Sequence, residues 1–390
     1  MTGHVLALNC GSSSVRFAVF GNDLVPLFRG QVENVAEGLE PSLLLDGRPG
    51  DPLPHGLAGH GPIIGYLLDT VILPRTGRLV AAGHRVVHGG TRFSEPALVD
   101  AAVAGEIEAL TTLAPSHQPH NLAGIRALAR ALPRVPQVAC FDTAFHRTLP
   151  EVRQLMALPQ RFAAEGLRRF GFHGLSYQSI IARLPEVTGG TVPPRTVICH
   201  LGNGCSLAGL IDGASVFTSM GFTPLDGLVM GRRPGRLDPG AVLWLVERHD
   251  GDTAAVDRLF NRESGLLGVS GVSPDMRTLL ASRDEKAALA VAMCVDRLVL
   301  EIGSAVAATG GLDALVFTGG IGENATPVRA AVVESLGWLG LHLDDVANGR
   351  HAPTITRGHP SAHVIATDEE RVIAASALAC VRSGTMPRPS

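Results

Sequence analysis

Four apolar runs in this chain each end in a polar turn rich in glycine, and this pattern constrains the fold more than any other feature. The turns are residues 9–14 (NCGSSS), 83–90 (GHRVVHGG), 200–206 (HLGNGCS) and 317–324 (FTGGIGEN). Such an apolar run is typical of a buried strand, and glycine lets the following backbone approach a ligand closely. Arg85 lies in the second turn without a counter-charge nearby in sequence, which suits anion binding. Together the turns indicate a phosphate and nucleotide site built from several loops.

Two of these turns each join two strand-like runs, and the two resulting units lie about half a chain apart. The first unit runs through 5–8, a glycine–serine turn and 15–20, and the second runs through 196–201, GNGCS and 207–211. This repetition predicts a duplicated architecture. Residues 37–61 are rich in glycine and proline and are interpreted as a variable surface connection. Helical patterns alternate with strand runs elsewhere, which predicts an α/β protein with mixed sheets. The helical patterns cover 101–113, 121–131, 241–248, 286–309, 327–336 and 369–381.

Composition narrows the class of protein. The chain has 390 residues, enough for two domains, and its net charge of −3 argues against a nucleic-acid partner. The six cysteines form no CxxC pair, so we interpret them as reduced thiols of a cytoplasmic protein. The start of the chain lacks the features of a signal peptide. The longest apolar stretch, 287–309, carries Asp296, Arg297 and Glu301, which predicts a core helix and no membrane partner.

Ten short motifs, in order along nearly the whole chain, resemble those of the acetate kinases of the acetokinase family. Besides the four turns they are LAPSHQPHN (113–121), FDTAFH (141–146), GFHG (171–174), TSMGFTPLDGLVMG (218–231), SGVSPDMR (270–277) and ATDEE (366–370). The resemblance implies two duplicated ribonuclease-H-like domains of the sugar kinase, actin and heat-shock-chaperone ATPase superfamily, with a cleft between them. We expect one domain at 1–142 plus 371–390 and a second, nucleotide-binding and dimerising domain at 143–370.

The same resemblance implies a reaction. A homodimer would transfer the γ-phosphoryl group of ATP reversibly to acetate by direct in-line transfer, giving acetyl phosphate and ADP, with Mg²⁺ (or Mn²⁺). Arg85 and Arg233 match the two active-site arginines of the family, whose planar forks bind carboxylate and phosphoryl oxygens. His173 matches the histidine that hydrogen-bonds the transferring phosphoryl group, and His117 and His200 match two histidines that support the transition state.

The remaining catalytic and metal residues also come from the resemblance. Asp142 matches the catalytic aspartate. Because acetate is already an anion at neutral pH, we interpret it as a positioning group; an N-cap is the alternative role. Asn9 and Glu369 match the magnesium residues, and oxygen ligands suit Mg²⁺. They lie at opposite ends of the chain, which we attribute to two domains facing one cleft. Glu370, adjacent to Glu369, remains an alternative.

The nucleotide and acyl sites are predicted as two further sets. The nucleotide residues are Ser12, Ser14, Arg16, His200, Leu201, Gly202, Asn203, Gly204, Asp275, Met276, Arg277, Gly320, Ile321, Gly322 and Asn324. The residues of the acyl pocket, which also includes Arg85, are Val87, Ser116, Phe172 and Pro224.

Several positions depart from the family pattern. Ser116 replaces a leucine, Arg16 replaces a lysine, and Leu175 and Tyr177 replace a threonine and a histidine after GFHG. Ser116 makes the acyl pocket roomier, so a propionate or butyrate kinase remains an alternative. A more distant alternative is an actin- or chaperone-like ATPase without an acyl acceptor, which would not use the arginine of GHRVVHGG or the histidine of GFHG.

Overall fold

The computed structural model describes residues 3–36 and 38–383, and these residues form two compact units. The first unit comprises the described residues up to Phe145 and those from Asp368 onward, and the second runs from His146 to Thr367. These boundaries lie three residues from those expected. The difference matters at the C-terminal end, because it puts Glu369 and Glu370 in the first unit instead of the second.

An eight-stranded mixed sheet forms the first unit. Its strands are β1 (His4–Cys10), β2 (Ser14–Phe20), β3 (Pro26–Glu33), β4 (Ser42–Leu45), β5 (Arg48–Pro49), β6 (Leu79–Val86), β7 (Ala97–Leu98) and β8 (Gln137–Phe141). The order across the sheet is β5-β4-β3-β2-β1-β6-β8-β7. The first five strands follow one another as antiparallel neighbours, and β6 is parallel to both β1 and β8. Residues 37–61 were interpreted as a variable surface connection, but β4 and β5 form a hairpin there and extend the sheet.

Helices cover this sheet. A continuous helix runs through α1 (His60–Tyr66), a π-helical stretch (Leu67–Ile72) and α2 (Leu73–Thr76). It is followed by α3 (Ala101–Ala109), capped by the Asp100 side chain, and by α4 (Gln118–Ala131). From Val5 onward β1 is buried, and its Leu6, Leu8 and Cys10 side chains pack with those of the α1–α2 helix in one apolar core. Burial on both faces explains the continuous apolar run of β1.

The second unit contains a smaller sheet and a separate two-stranded ribbon. Its strands are β9 (Arg195–Leu201), β10 (Cys205–Ile211), β11 (Ala214–Thr218), β12 (Ala314–Thr318), β13 (His342–Leu343), β14 (Thr356–Arg357) and β15 (Ser361–Val364). The five-stranded sheet has the order β11-β10-β9-β12-β15, and β13 pairs with β14. Strands β9, β10 and β11 are antiparallel neighbours, whereas β12 is parallel to β9 and β15.

The helices of the second unit are mostly short. They are α5 (Glu151–Gln154), α6 (Gln160–Ala164), α7 (Gly174–Arg183), α8 (Pro239–Arg248), α9 (Thr253–Arg258), α10 (Gly265–Ser270), α11 (Met276–Ala281), α12 (Glu285–Thr309), α13 (Gly319–Asn324), α14 (Thr326–Ser335) and α15 (Asp345–Gly349). The long α12 is the predicted core helix; no helix within the described ranges is long and apolar enough to cross a membrane. The last helix, α16 (Glu369–Ser383), returns to the first unit and packs on β1 and β6.

The two sheets share one topology. In each, a three-stranded antiparallel meander is followed by two strands parallel to its first strand: β1, β2, β3, β6 and β8 in one unit, and β9, β10, β11, β12 and β15 in the other. The predicted α/β class and the predicted duplication are confirmed.

Candidate active site

Three neighbouring parallel strands of the first unit carry polar side chains at their carboxyl ends. Asn9 is the last residue but one of β1, Arg85 holds the same position in β6, and Asp142 directly follows β8. The carboxyl ends of parallel strands lie at one edge of a sheet, where ligands commonly bind. The side chains meet there: Arg85 donates from Nη1 to Oδ1 of Asn9 at 3.3 Å and from Nη2 to Oδ2 of Asp142 at 2.7 Å.

The arginine and the aspartate form a tight pair. Arg85 also donates from Nε to the same Asp142 oxygen, Oδ2, at 3.0 Å. Burial by itself would lower the pKa of Arg85, but the charges of Asp142 and Glu369 outweigh this and raise it, so the guanidinium stays charged. The other Asp142 oxygen, Oδ1, is buried and accepts no hydrogen bond from the described residues. A buried acceptor of this kind can bind a cation or an added donor.

The first turn of α16 brings Glu369 to this cluster. Asn9 Nδ2 donates to its Oε2 at 3.4 Å, and Arg85 Nε lies 3.9 Å from the same oxygen. Burial, together with the charges of Asp142 and Glu370, raises the pKa of Glu369 to about 7 despite the opposing charge of Arg85. A divalent cation would stabilise the charged form of such a carboxylate.

The oxygen atoms available as metal ligands at this edge fit a hard cation. They are the amide oxygen of Asn9, the Glu369 carboxylate and the unused Asp142 oxygen, all of the type that Mg²⁺ prefers. No group of three or more His, Cys, Asp or Glu side chains with metal-binding geometry occurs among the described residues. Magnesium commonly keeps several water ligands and needs only one or two carboxylates, so this small donor set is compatible with it.

The start of α4 holds the loop that follows β6. Gln118 accepts from the backbone N–H of His88 and donates to its carbonyl, and Asn121 accepts from the backbone N–H of Val87 while donating to the carbonyl of Cys10. Val87 is buried. His117 occupies the N-cap position of α4, and Ser116, one residue earlier, is exposed.

Two stacked histidines lie at the corresponding edge of the second sheet. The rings of His173 and His200 have centroids 4.3 Å apart and planes at 27°. His173 precedes α7 in the left-handed conformation (φ 59°), and His200 is the last residue but one of β9. Each Nδ1 is hydrogen-bonded to a serine hydroxyl at 2.8 Å: Ser206 for His173 and Ser176 for His200. The rings are therefore fixed in orientation.

Arg233 lies against the glycine turn between β9 and β10. A Cβ at Gly204 would come within 2.7 Å of Nη2 of Arg233 and 3.4 Å of Nε2 of His173, so a larger residue there would displace the Arg233 head group. Arg233 donates from Nη1 to the carbonyl of Pro224 at 2.7 Å. Burial lowers its pKa, although not enough to discharge an arginine.

A pocket of about 750 Å³ opens beside the same glycine turn. It is lined by Gly202, Asn203, Pro274, Asp275, Met276, Arg277, Leu280, Gly320, Ile321, Asn324, Ala325 and Pro327. Asp275 caps α11 by accepting from the backbone N–H of Arg277. At α13, the Glu323 carboxylate accepts from the N–H of Gly319 and so fixes the start of the helix. The size of the pocket, its apolar walls and its backbone groups suit a nucleotide.

The sequence matches the acetokinase family over residues 4–375. It is 45% identical to the acetate kinase of Rhodopseudomonas palustris, covering 96% of this chain and 97% of that protein. The chain belongs to the acetokinase family. The structure of a propionate kinase from Francisella tularensis superposes with a TM-score of 0.90 at 35% identity, covering 96% of this chain and 98% of that one. The structure of Porphyromonas gingivalis acetate kinase superposes with a TM-score of 0.87 at 35% identity, covering 97% of this chain and 99% of that one.

Membership in the acetokinase family confirms the fold and the class of reaction. The fold is the duplicated actin-like ATPase fold of these kinases. The chain is a phosphotransferase of the acetate kinase type, with a carboxylate as phosphoryl acceptor and ATP as donor, which implies a divalent metal.

The residues assigned from the acetokinase pattern separate between the two units. Most of the predicted nucleotide residues line the pocket. Three others, Leu201, Gly204 and Gly322, are adjacent in the chain to residues that line it. Ser12, Ser14 and Arg16 belong to the first unit, where Ser12 and Arg16 are exposed. Arg16 lines a smaller pocket with Arg29 and Glu370. Glu369 and Asn9 were expected on two domains, yet they lie in one unit, because α16 returns to the first sheet.

Several residues that position the site were not predicted from the sequence. Ser206, Ser176 and Thr367 hold the two histidines, and Gln118 and Asn121 hold the loop after β6. Ser206 ends the motif HLGNGCS and Thr367 lies within ATDEE, so the motifs carried a signal. The partners themselves depend on tertiary register, for example on Ser206 lying opposite His200 in the β9–β10 pair.

Proposed function

We propose that this protein transfers the γ-phosphoryl group of ATP to acetate, giving acetyl phosphate and ADP, reversibly and by direct in-line displacement with Mg²⁺. The observation that carries the proposal is the charged Arg85, held by two hydrogen bonds to one oxygen of Asp142 at the carboxyl end of β6. A fixed guanidinium at a strand end is a preorganised anion site, which phosphoryl transfer to a carboxylate requires.

The acceptor needs no base. Acetate is ionised at neutral pH, so one carboxylate oxygen attacks the γ-phosphorus while the bond from that phosphorus to the β–γ bridging oxygen breaks and ADP leaves. Arg85 and Arg233 bind the carboxylate and the equatorial phosphoryl oxygens, where negative charge must be stabilised. Asp142 positions Arg85, and this role agrees with a carboxylate whose one oxygen accepts two bonds from that guanidinium.

The histidines supply hydrogen-bond donors to the same phosphoryl oxygens. His173 donates in the transition state, with His200 stacked on it as support. His117, at the N-cap position of α4, is proposed to support the transition state from the first unit. Asn9 and Glu369 would hold the metal ion, and bound Mg²⁺ would supply positive charge that stabilises the phosphates of ATP.

The substrates bind at two predicted sets of residues. The adenosine and phosphates of ATP occupy the pocket between the turn at Gly202 and the helix at Gly320. Val87, Ser116, Phe172 and Pro224 contact the acyl group. Of these, Val87 and Phe172 have apolar side chains, which suits the methyl group of acetate.

We also propose a cytoplasmic homodimer. Six free thiols favour a reducing compartment. Large apolar side chains are exposed on α8 and α12 of the second unit, among them Leu243, Trp244 and Leu300, and a second copy of the chain would cover them. Light scattering at several concentrations tests this: a monomer throughout would contradict the homodimer.

The test of the reaction is to trap the acyl phosphate. Purified protein is incubated with ATP, Mg²⁺ and hydroxylamine, with formate, acetate, propionate, butyrate or no carboxylate, and hydroxamate and ADP are both measured. We expect hydroxamate with acetate and equal amounts of ADP. ADP formation that does not depend on carboxylate would point to an ATPase instead. Higher kcat/KM with propionate or butyrate would favour the alternative acyl kinase, which the small Ser116 side chain makes worth testing.

A further inference from the structure

We propose that Tyr177 and Ser206 are positioning residues that set the proton on His173, through a relay Tyr177 O–H to Ser206 Oγ–H to His173 Nδ1. This inference rests on the proposed function, in which His173 donates a hydrogen bond to the phosphoryl group. The relay leaves Nδ1 as an acceptor and therefore keeps the ring proton of a neutral His173 on Nε2.

The contacts of the relay are short and buried. Ser206 Oγ lies 2.8 Å from His173 Nδ1 and is also hydrogen-bonded to the Tyr177 hydroxyl. Ser206 and Tyr177 are both fully buried, so the geometry does not depend on solvent. The Tyr177 ring packs edge-on against His146, with centroids 5.6 Å apart, which holds the phenol in place. Tyr177 lies one turn into α7, the helix that His173 precedes.

The direction of the relay follows from the number of protons. A serine hydroxyl has one hydrogen, so Ser206 donates to only one of its two partners and accepts from the other. Phosphoryl oxygens at neutral pH accept hydrogen bonds and do not donate. A neutral histidine that donates to them through Nε2 must accept at Nδ1. Ser206 then donates to His173, and Tyr177 donates to Ser206.

A second relay of the same form supports this direction. Thr367 Oγ1 donates to Ser176 Oγ at 2.9 Å, and Ser176 Oγ lies 2.8 Å from Nδ1 of His200. The hydrogen of Ser176 is thereby left for His200. Each of the two stacked rings thus has a serine on Nδ1 and a second hydroxyl behind that serine.

The surroundings of His173 bear on its titration. The His173 ring stacks on His200 of β9, and Arg233 lies with it beside Gly204. Behind Ser206 lies Tyr177 of α7, which packs against His146, and Cys205 precedes Ser206 in β10. Burial lowers the pKa of His146 to about 4 and raises that of Cys205 to about 11, so neither changes charge between pH 6 and about 8.5. Glu369, whose pKa is raised to about 7, changes charge in this range as well, so the effect of the relay is the difference in pH dependence between each variant and the parent.

The experiment uses Tyr177→Phe, Ser206→Ala and their double variant, with Tyr66→Phe as the matched control on the chain's other tyrosine, which lies in α1. We measure kcat and both KM values from about pH 6 to about pH 8.5. Tyr177→His has a hydrogen-bonding side chain, unlike Tyr177→Phe, and tests whether such a group preserves the activity that Tyr177→Phe loses. Circular dichroism melting identifies any variant that fails to fold. If Ser206→Ala fails to fold, the kinetics of Tyr177→Phe alone test the relay.

An imidazolium carries a proton on Nε2 without help, whereas a neutral ring needs the relay to put it there. We therefore expect both single variants to lose roughly ten- to hundredfold in kcat at alkaline pH and only about twofold at acid pH. Both KM values should stay within about threefold, and the double variant should lose no more than the worse single one, as expected of residues acting as a unit. A loss independent of pH, or none, would overturn the relay.

A readout without turnover separates this inference from the proposed function. In the ¹⁵N spectrum of histidine-labelled protein, the His173 signals, assigned by their loss in His173→Gln, should show a proton on Nε2 at alkaline pH, and Ser206→Ala should shift that proton population. A parent proton on Nδ1 would overturn the relay even in an active enzyme. If the parent forms no acyl phosphate, the proposed function fails, while the spectrum still decides how Ser206 binds the ring.

Discussion

The two sheets have one topology but different chemistry at equivalent positions. The residue before the last in β1 is Asn9 and in β9 it is His200; in β6 it is Arg85, and in β12 it is the fully buried Phe317. Glycine turns follow these strands in both units, but the first unit places Arg85, Asp142 and Glu369 at this edge, whereas the second places two stacked histidines and a pocket of about 750 Å³ there. The shared topology provides the edge of the sheet, and a few side chains decide whether that edge binds charge or a nucleotide.

Replacing Arg85 in the first unit and Arg233 in the second should have the largest effects, and these two variants test the difference between the units. Arg85→Ala and Arg233→Ala should each lower kcat by roughly 10³-fold, the scale of a transition-state arginine. Their effects on stability should differ. Arg85 is paired with Asp142, which is only 1% exposed, so its loss leaves a buried carboxylate unpaired and should cost about 3 kcal/mol of unfolding free energy. Arg233 bonds to a neutral carbonyl, and its loss should cost much less.

Steady-state kinetics and urea unfolding of both variants provide the check. Arg85→Ala combined with Asp142→Asn should recover most of the lost stability, because the buried charge is then removed, but it should recover no activity. Equal destabilisation by the two single variants would contradict the distinction between the units. Activity within tenfold of the parent in a folded variant would remove that arginine from the active site.

This contrast also explains what could be predicted from sequence. The apolar runs before the turns predicted β1, β9, β6 and β12, because burial on both faces leaves a strong local signal. The hairpin β4–β5 was missed although Asp46 and Gly47 form its turn, both with positive φ, as a tight hairpin requires. The many glycines and prolines around this Asp-Gly turn favoured a loop. Contacts such as Tyr177–Ser206 depend on how α7 packs on β10, which no local pattern encodes.

The metal residues sharpen the description of the first unit. Glu369→Gln should raise the Mg²⁺ concentration for half-maximal rate by roughly tenfold or more, since a carboxylate ligand is lost. Glu370→Gln is the matched control, because Glu370 lies 3.7 Å from Arg29 and is already in an ion pair. The measurement is the rate as a function of Mg²⁺ at fixed ATP. A larger effect from Glu370→Gln would transfer the metal role to that residue.

Two adjacent glycines test the second unit. Gly319 has a φ of 77°, and a Cβ there would lie 2.8 Å from the Leu201 carbonyl oxygen, so Gly319→Ala should cost about 1–3 kcal/mol of stability. A Cβ at Gly320 would meet nothing within 4 Å, and this residue lines the pocket. Gly320→Ala should leave the melting temperature unchanged and raise KM for ATP by roughly threefold. A raised KM for acetate instead would contradict the assignment of the pocket to the nucleotide.

The smallest expected effect concerns Ser116, which is exposed in the turn before α4. One methylene in an apolar pocket is worth roughly 10–200-fold in kcat/KM, and a serine provides less apolar wall than a leucine. We therefore expect acetate and propionate to differ by less than about tenfold in the parent, and Ser116→Leu to shift the ratio toward acetate by a few-fold, near the low end of that range. Ser116→Ala is the control, because it removes the hydroxyl without adding bulk. Because the side chain is exposed, no cost in stability is expected from either change. A parent that rejects propionate strongly, with no change in Ser116→Leu, would mean that Val87 or another buried residue closes the acyl site instead.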